Sequence, residues 1–203
     1  IVERKGPKLG LVINKNNAGL AKKMREQDED LFDFLVGDRI SEVDLADLGD
    51  ESKAADNATV ITRLTGMGAN RLVVCFDVDN AATSEAQFKR IAFDIYPRHL
   101  LGAVPILFAS ELVDDVLVDR RGWTALTNSF LHPAMESFLY NAENRLREYR
   151  TKNPLLIFRN DGNASRVAKT IALKTYSSGP RGGMEGVKTF SKQYNLSDVM
   201  TMD

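Results

Sequence analysis

Residues 175–186 read T-Y-S-S-G-P-R-G-G-M-E-G, and the interpretation of this stretch decides the fold. Four glycines (Gly179, Gly182, Gly183, Gly186) and Pro180 follow an apolar run over residues 167–173. Glycine lets backbone come close to a ligand or a neighbouring helix, and proline suits the first turn of a helix. A helix that opens with bare backbone N–H groups is a natural seat for an anion. A turn and a close-packed helix with no ligand explain the same residues, and taken alone they favour that plainer reading.

Working outward, S-S-G-P-R-G-G-M-E-G resembles the S-G-P-x-x-G segment of the hydantoinase/oxoprolinase family. The family comprises the A-type subunits of ATP-dependent N-methylhydantoinases, 5-oxoprolinases and the acetone and acetophenone carboxylases. Val199-Met200-Thr201-Met202-Asp203 resembles the family strand that leads into a D-x-G-G-T-x-T-D phosphate and metal loop. Ile1-Val2-Glu3-Arg4-Lys5-Gly6 is similar to its N-A-x-x-E-x-K/R-G segment, and Ser110-Glu111-Leu112 to its S-x-E-(V/L). Residues 121–133, R-G-W-T-A-L-T-N-S-F-L-H-P, resemble R-x-x-T-A-x-x-N-A-Y-x-x-P. These stretches fall in family order along nearly the whole chain.

The resemblance implies an α/β chain, a fragment of an actin-like (ASKHA) ATPase fold with mixed sheets and flanking helices. It places the end of the N-terminal region at residues 1–109 and the start of the central domain at 110–203, stopping before its phosphate loop. It implies ATP and Mg²⁺ in the full-length parent. Ser178, Gly179, Arg181, Gly182 and Asp203 would meet the nucleotide, and Asp203 would meet the metal. The implied activity is an ATP-dependent opening of a hydantoin-like or 5-oxoproline-like cyclic amide, with an acetone- or acetophenone-type carboxylase as the alternative. The implied partners are a small-molecule substrate and a B-type subunit or fused B domain, in a cytoplasmic oligomer. Because both phosphate loops fall outside these residues, the fragment alone is expected to hold no nucleotide firmly and to have no turnover; no catalytic residue is assigned.

Composition sets outer bounds. The chain has 203 residues, 43% of them hydrophobic, enough to bury a core in one large domain or two small ones. Its net charge of -1 gives no hint of nucleic acid or an anionic membrane as partner. A single cysteine, Cys75, leaves no internal disulfide. No apolar run reaches membrane-spanning length, and no signal peptide is recognisable.

Along the chain, residues 8–14 read as a buried strand and residues 20–33 as charged helix. Residues 39–44 read as a short half-exposed strand, and the acidic residues 47–57 as a loop entering a helix. Val60, Ile61, Leu64 and Met67 form one buried helix stripe. Residues 71–78 are the strongest strand of the first half, covered on both faces, with Asp77 and Asp79 at its carboxyl end where α/β folds place ligands. After this strand the family carries a histidine turn and an H-E pair, of which only Glu85 remains here. A helix follows to about Tyr96, with Phe88, Ile91, Ala92 and Ile95 on one side. Residues 103–109 read as a strand whose Pro105 marks an edge or a strand start.

The longest helical stretch, residues 124–149, carries an Ala134, Phe138, Ala142, Leu146 ladder, with Pro133 expected to split or kink it. Residues 155–159 read as a buried strand ending in the turn Asn160-Asp161-Gly162-Asn163. That turn corresponds to the family's D-G-G, with Asn163 in the second glycine position and able to take a left-handed conformation.

Neither His99 nor His132 has a second ligand at metal spacing, so no zinc site is predicted. Cys75 reads as inert packing. Arg120, Arg121 and Trp123 suit either a cationic, aromatic patch or an ordinary helix start. Arg181 suits a phosphate by its fork geometry, or equally a salt bridge to a nearby acid. Two readings from other classes stand beside the enzyme: an assembly module built on the helices around Pro133, and a small-molecule kinase or chaperone of the same superfamily.

Overall fold

A computed structural model of the chain describes residues 4–15, 18–97, 99 and 103–202. The chain forms two compact units, Ile1–Phe130 and Leu131–Asp203.

The first unit is built on a four-stranded sheet. Strand β1 (Leu9–Asn14) is buried along its whole length, and all its neighbours run parallel to it. Strand β2 (Ile40–Val43) lies on one side, with Leu11 opposite Ile40. Strand β3 (Arg71–Val74) lies on the other, with Leu9 opposite Arg71. Strand β4 (Ile106–Phe108) pairs with β3, Leu72 opposite Ile106, giving the order β2-β1-β3-β4. Parallel neighbours require crossovers, and the helices supply them. Helices α1 (Ala18–Gln27) and α2 (Glu29–Leu35) connect β1 to β2. Helix α3 (Ala54–Gly66) connects β2 to β3, and α4 (Ala81–Ile95) connects β3 to β4. Asp28 caps α2 by accepting the Leu31 N–H at 3.0 Å, and Gly37, with φ +56°, turns the chain after it.

The core follows from the sequence pattern. Leu72, Val73, Val74, Cys75 and Phe76 are fully buried, as a strand covered on both faces must be. Val60, Ile61 and Leu64 bury the inner face of α3 beside Phe88 and Ala92 of α4. Met67 does not join that stripe: α3 ends at Gly66, so the residue falls past the last turn and is exposed. Gly10 is where α3 comes closest to β1, because a Cβ there would stand 2.7 Å from Leu72 Cδ2 and 3.2 Å from Leu64 Cβ. Pro105 precedes β4, which is an edge strand as read from the sequence, and its carbonyl accepts the Leu72 N–H.

A short helix α5 (Ala109–Leu112) leads to α6 (Val118–Glu148), whose 31 residues run unbroken through Pro133. A division into two helices at the proline is therefore not found. The first half of α6 packs by Trp123 edge-on to Phe32 and Phe130 edge-on to Phe34. In the second half, Leu139 is buried. The Ala134, Phe138, Ala142, Leu146 ladder contains no buried residue, and Phe138 is 67% exposed. Periodicity finds a stripe but not what covers it, and here the buried residue is Leu139, one position on from Phe138.

In the second unit, β5 (Leu156–Phe158) and β6 (Ala164–Arg166) form an antiparallel hairpin, with Ile157 opposite Ser165. Strand β5 is not the buried strand expected, since Leu156 is 57% exposed and a two-stranded ribbon covers neither face. The left-handed residue of its turn is Gly162, at φ +83°, rather than Asn163. Helix α7 (Ser178–Tyr194) then closes the unit. Residues 199–202 form no strand: Val199, Met200 and Met202 are exposed, and no backbone ladder pairs with them among the described residues. Asp203 lies outside the described residues.

Candidate functional site

The glycine-rich stretch opens a helix, as expected. Ser177 stands before it at φ +53°, ψ +26°, a left-handed conformation uncommon for a residue with a Cβ, and it makes no side-chain cap. The N–H groups of Ser178 and Gly179 therefore begin α7 without an intrahelical acceptor. Gly179, Gly183 and Gly186 have open space where a Cβ would stand, so they do not serve a close helix–helix approach within these residues. Gly182 is the exception: a Cβ there would sit 3.5 Å from the Phe158 ring of β5.

The turn after β5 meets the first turn of α7. A Cβ on Gly162 would stand 3.2 Å from Arg181 Nη2, so the missing side chain gives the guanidinium its seat. The same nitrogen pairs with Glu185 at 2.8 Å, the salt bridge weighed from sequence against a phosphate contact. Asp161 accepts the Asn163 N–H at 3.0 Å and pairs with Arg159 at 2.8 Å and Lys174 at 3.5 Å. That backbone donor first, then the two cations, hold its carboxyl below the usual range. Lys188 and Arg181 do the same for Glu185. The corner thus joins Arg181 to the turn at Gly162 and Gly182 to Phe158 of β5, some twenty residues upstream. An exposed start of helix without a side-chain cap, beside several cations, fits one phosphate group through backbone N–H donors. A magnesium site is not completed there: among the described residues no group of three or more His, Cys, Asp or Glu converges for a metal.

The first unit carries a second constellation, at the carboxyl edge of the parallel sheet. The strand order reverses direction between β1 and β3, the switch point where α/β sheets open a crevice. Three side chains hold the backbone that leaves β3. Glu85, only 1% exposed, accepts the Phe76 N–H at 3.1 Å through one oxygen. Its other oxygen accepts the Ser110 N–H at 2.9 Å and the Ser110 hydroxyl at 2.6 Å. Arg121, also buried, donates to the Phe76 carbonyl at 2.5 Å and to the Asp115 carbonyl at 3.0 Å. The buried Asn14 at the end of β1 accepts the Asp77 N–H at 2.8 Å.

Burial pushes the Glu85 carboxyl up, opposed by Ser110, Phe76 and Arg121. Burial likewise pushes the Cys75 thiol up to about 12, which makes it inert as expected. Sequence reading missed the role of Arg121: it belongs neither to a surface patch nor to an ordinary helix start. Trp123 is engaged as well, its indole N–H donating to Gln27 at 2.8 Å, and Arg120 pairs with Asp115 at 2.7 Å. The only hint in the sequence was that Glu85, Ser110 and Arg121 each fall in a family-like stretch.

The fold defines a class: an α/β chain built on a four-stranded parallel sheet. Its backbone superposes on a nucleotide-free acetone carboxylase structure with a TM-score of 0.63 at 18% identity, over 96% of this chain and 30% of that one. This is consistent with the expected actin-like fold fragment. Residues 121–203 match the hydantoinase/oxoprolinase family model. It is also 25% identical over 150 residues to the acetophenone carboxylase gamma subunit of Aromatoleum aromaticum strain DSM 19018 / LMG 30748 / EbN1. That match covers 73% of this chain and 20% of the relative, so the chain spans about a fifth of the length of that protein.

Proposed function

We propose that the full-length protein carrying this chain is an ATP-dependent enzyme that activates a carbonyl compound, either a cyclic amide or a ketone enol. The observation that carries this reading is the family match over residues 121–203, which contains the whole uncapped corner at α7. Bound Mg-ATP would supply the phosphoryl group, with the metal offsetting charge as it transfers. This chain's part is to hold phosphate by the N–H groups of Ser178 and Gly179, with Gly182 allowing close packing and Arg181 supplying charge. Asp203 is the proposed metal carboxylate. Residues 1–109 would close the family's N-terminal region, and 110–203 would open its central domain.

Opening of a hydantoin-like or 5-oxoproline-like ring is the reading taken from the family. The carboxylase reading is favoured by a specific observation, since both relatives above are carboxylases. A B-type subunit in a cytoplasmic oligomer is proposed with either, supported by the relative's being one subunit of an assembly. The 203 residues alone are proposed to lack turnover. The test is ATP hydrolysis by the purified full-length protein with its co-purifying subunits, with hydantoin, 5-oxoproline, or acetone or acetophenone plus bicarbonate. Stimulation by a cyclic amide supports the hydrolase and stimulation by ketone with bicarbonate the carboxylase; no stimulation by either refutes the proposal.

A further inference from the structure

A cavity of about 210 Å³ lies in the second unit, between the last turn of α6, the loop after it and β6. Three cations from three segments line it: Arg147 of α6, Lys152 of the loop and Arg166 of β6. Its only acid is Glu143, which pairs with Arg147 at 3.4 Å. No acid pairs with Lys152 or Arg166 among the described residues. Three positive charges less one negative leave +2. The C-terminus of α6 subtracts roughly half a charge, so the cavity stays cationic by about 1.5. Leu146 and Leu155 supply an apolar wall. The volume is room enough for a compact anion.

We propose that this cavity binds a small organic anion, a carboxylate with a short apolar body, through Lys152 and Arg166 against the Leu146–Leu155 wall. The inference is independent of the phosphate corner at α7. The geometry sets the class: the charges draw an anion, and the leucines reward an apolar body that inorganic phosphate lacks. Ordinary solvated lysines and arginines would show no such preference, because they line no wall.

The experiment is calorimetric and NMR titration of the full-length protein with benzoate and, separately, with inorganic phosphate. Benzoate is expected to bind with a dissociation constant on the order of 1 mM, and phosphate about tenfold more weakly. Lys152→Gln and Arg166→Gln should each weaken benzoate about tenfold, the loss of one charge-assisted hydrogen bond. Lys188→Gln, an equal charge change elsewhere in the unit, should leave it unaltered. Melting curves confirm that each variant is folded. No benzoate binding, phosphate binding as tight as benzoate, or an equal loss in the Lys188→Gln variant would each overturn the proposal.

Discussion

Replacing Glu85 tests whether the carboxyl edge of the parallel sheet is held as described. Both carboxylate oxygens accept from backbone N–H groups, Phe76 on one and Ser110 on the other. A backbone donor cannot turn away, so the position requires two acceptors. Glutamine offers one acceptor and one donor, whichever way it is flipped. Glu85→Gln must therefore set an NH₂ against a fixed N–H and leave one buried donor unsatisfied, at about 1–3 kcal/mol, eased by removing the cost of a buried charge. Glu85→Ala strips both acceptors and leaves the Phe76 and Ser110 N–H groups unsatisfied, so the loss should reach roughly 2–6 kcal/mol. Denaturant melts of the full chain give the ordering alanine below glutamine below wild type. Amide exchange should accelerate at Phe76 and Ser110 before it changes in β1. A Glu85→Gln variant as stable as wild type, with unchanged exchange at both amides, would refute the two-acceptor argument.

Further outcomes follow from the same geometry. Arg121→Lys should cost about 1–3 kcal/mol, because one ammonium cannot reach both the Phe76 and Asp115 carbonyls as the fork does; urea melts measure it. Gly10→Ala should destabilise by about 1–3 kcal/mol through overpacking against Leu72, seen as a lower urea midpoint with unchanged slope. Asp161 has a carboxyl below its ordinary value, so its contribution is present above the unfolded value and lost as pH falls through the folded one. Asp161→Asn should accordingly lower stability at neutral pH, with the difference from wild type shrinking as pH falls through the folded value, which thermal melts from pH 2 to 7 would record. Cys75 should react with a thiol reagent only on unfolding, so its labelling rate should track denaturant.

The parallel sheet was legible because β1 and β3 are short, nearly continuous apolar runs, a pattern that demands cover on both faces. The start of α7 was legible because Pro180 and the glycines around it punctuate the chain strongly. The clamp was not, since Glu85, Ser110 and Arg121 lie far apart in sequence and act on one stretch of backbone that no spacing rule connects. The α6 ladder misled for a related reason: Phe138 and Leu146 repeat at helical spacing, but the partner surface decides which row is buried. The run from Val199, likened to a family strand, likewise forms one only where another strand can pair with it. Arg181 could be given two partners from sequence; the structure shows one of them, Glu185, four residues on, a pairing that helical geometry makes cheap.

The central claim is that the uncapped start of α7 receives the phosphate end of a nucleotide. Gly179 has open space around it, so Gly179→Asp can be accommodated while placing a negative charge where the phosphate would lie. Mg-ATP titrated calorimetrically into the full-length protein should bind in the micromolar range, and Gly179→Asp should weaken it at least about tenfold with an unchanged melting curve. Equal affinity in the two proteins, or no binding to wild type, would contradict the account.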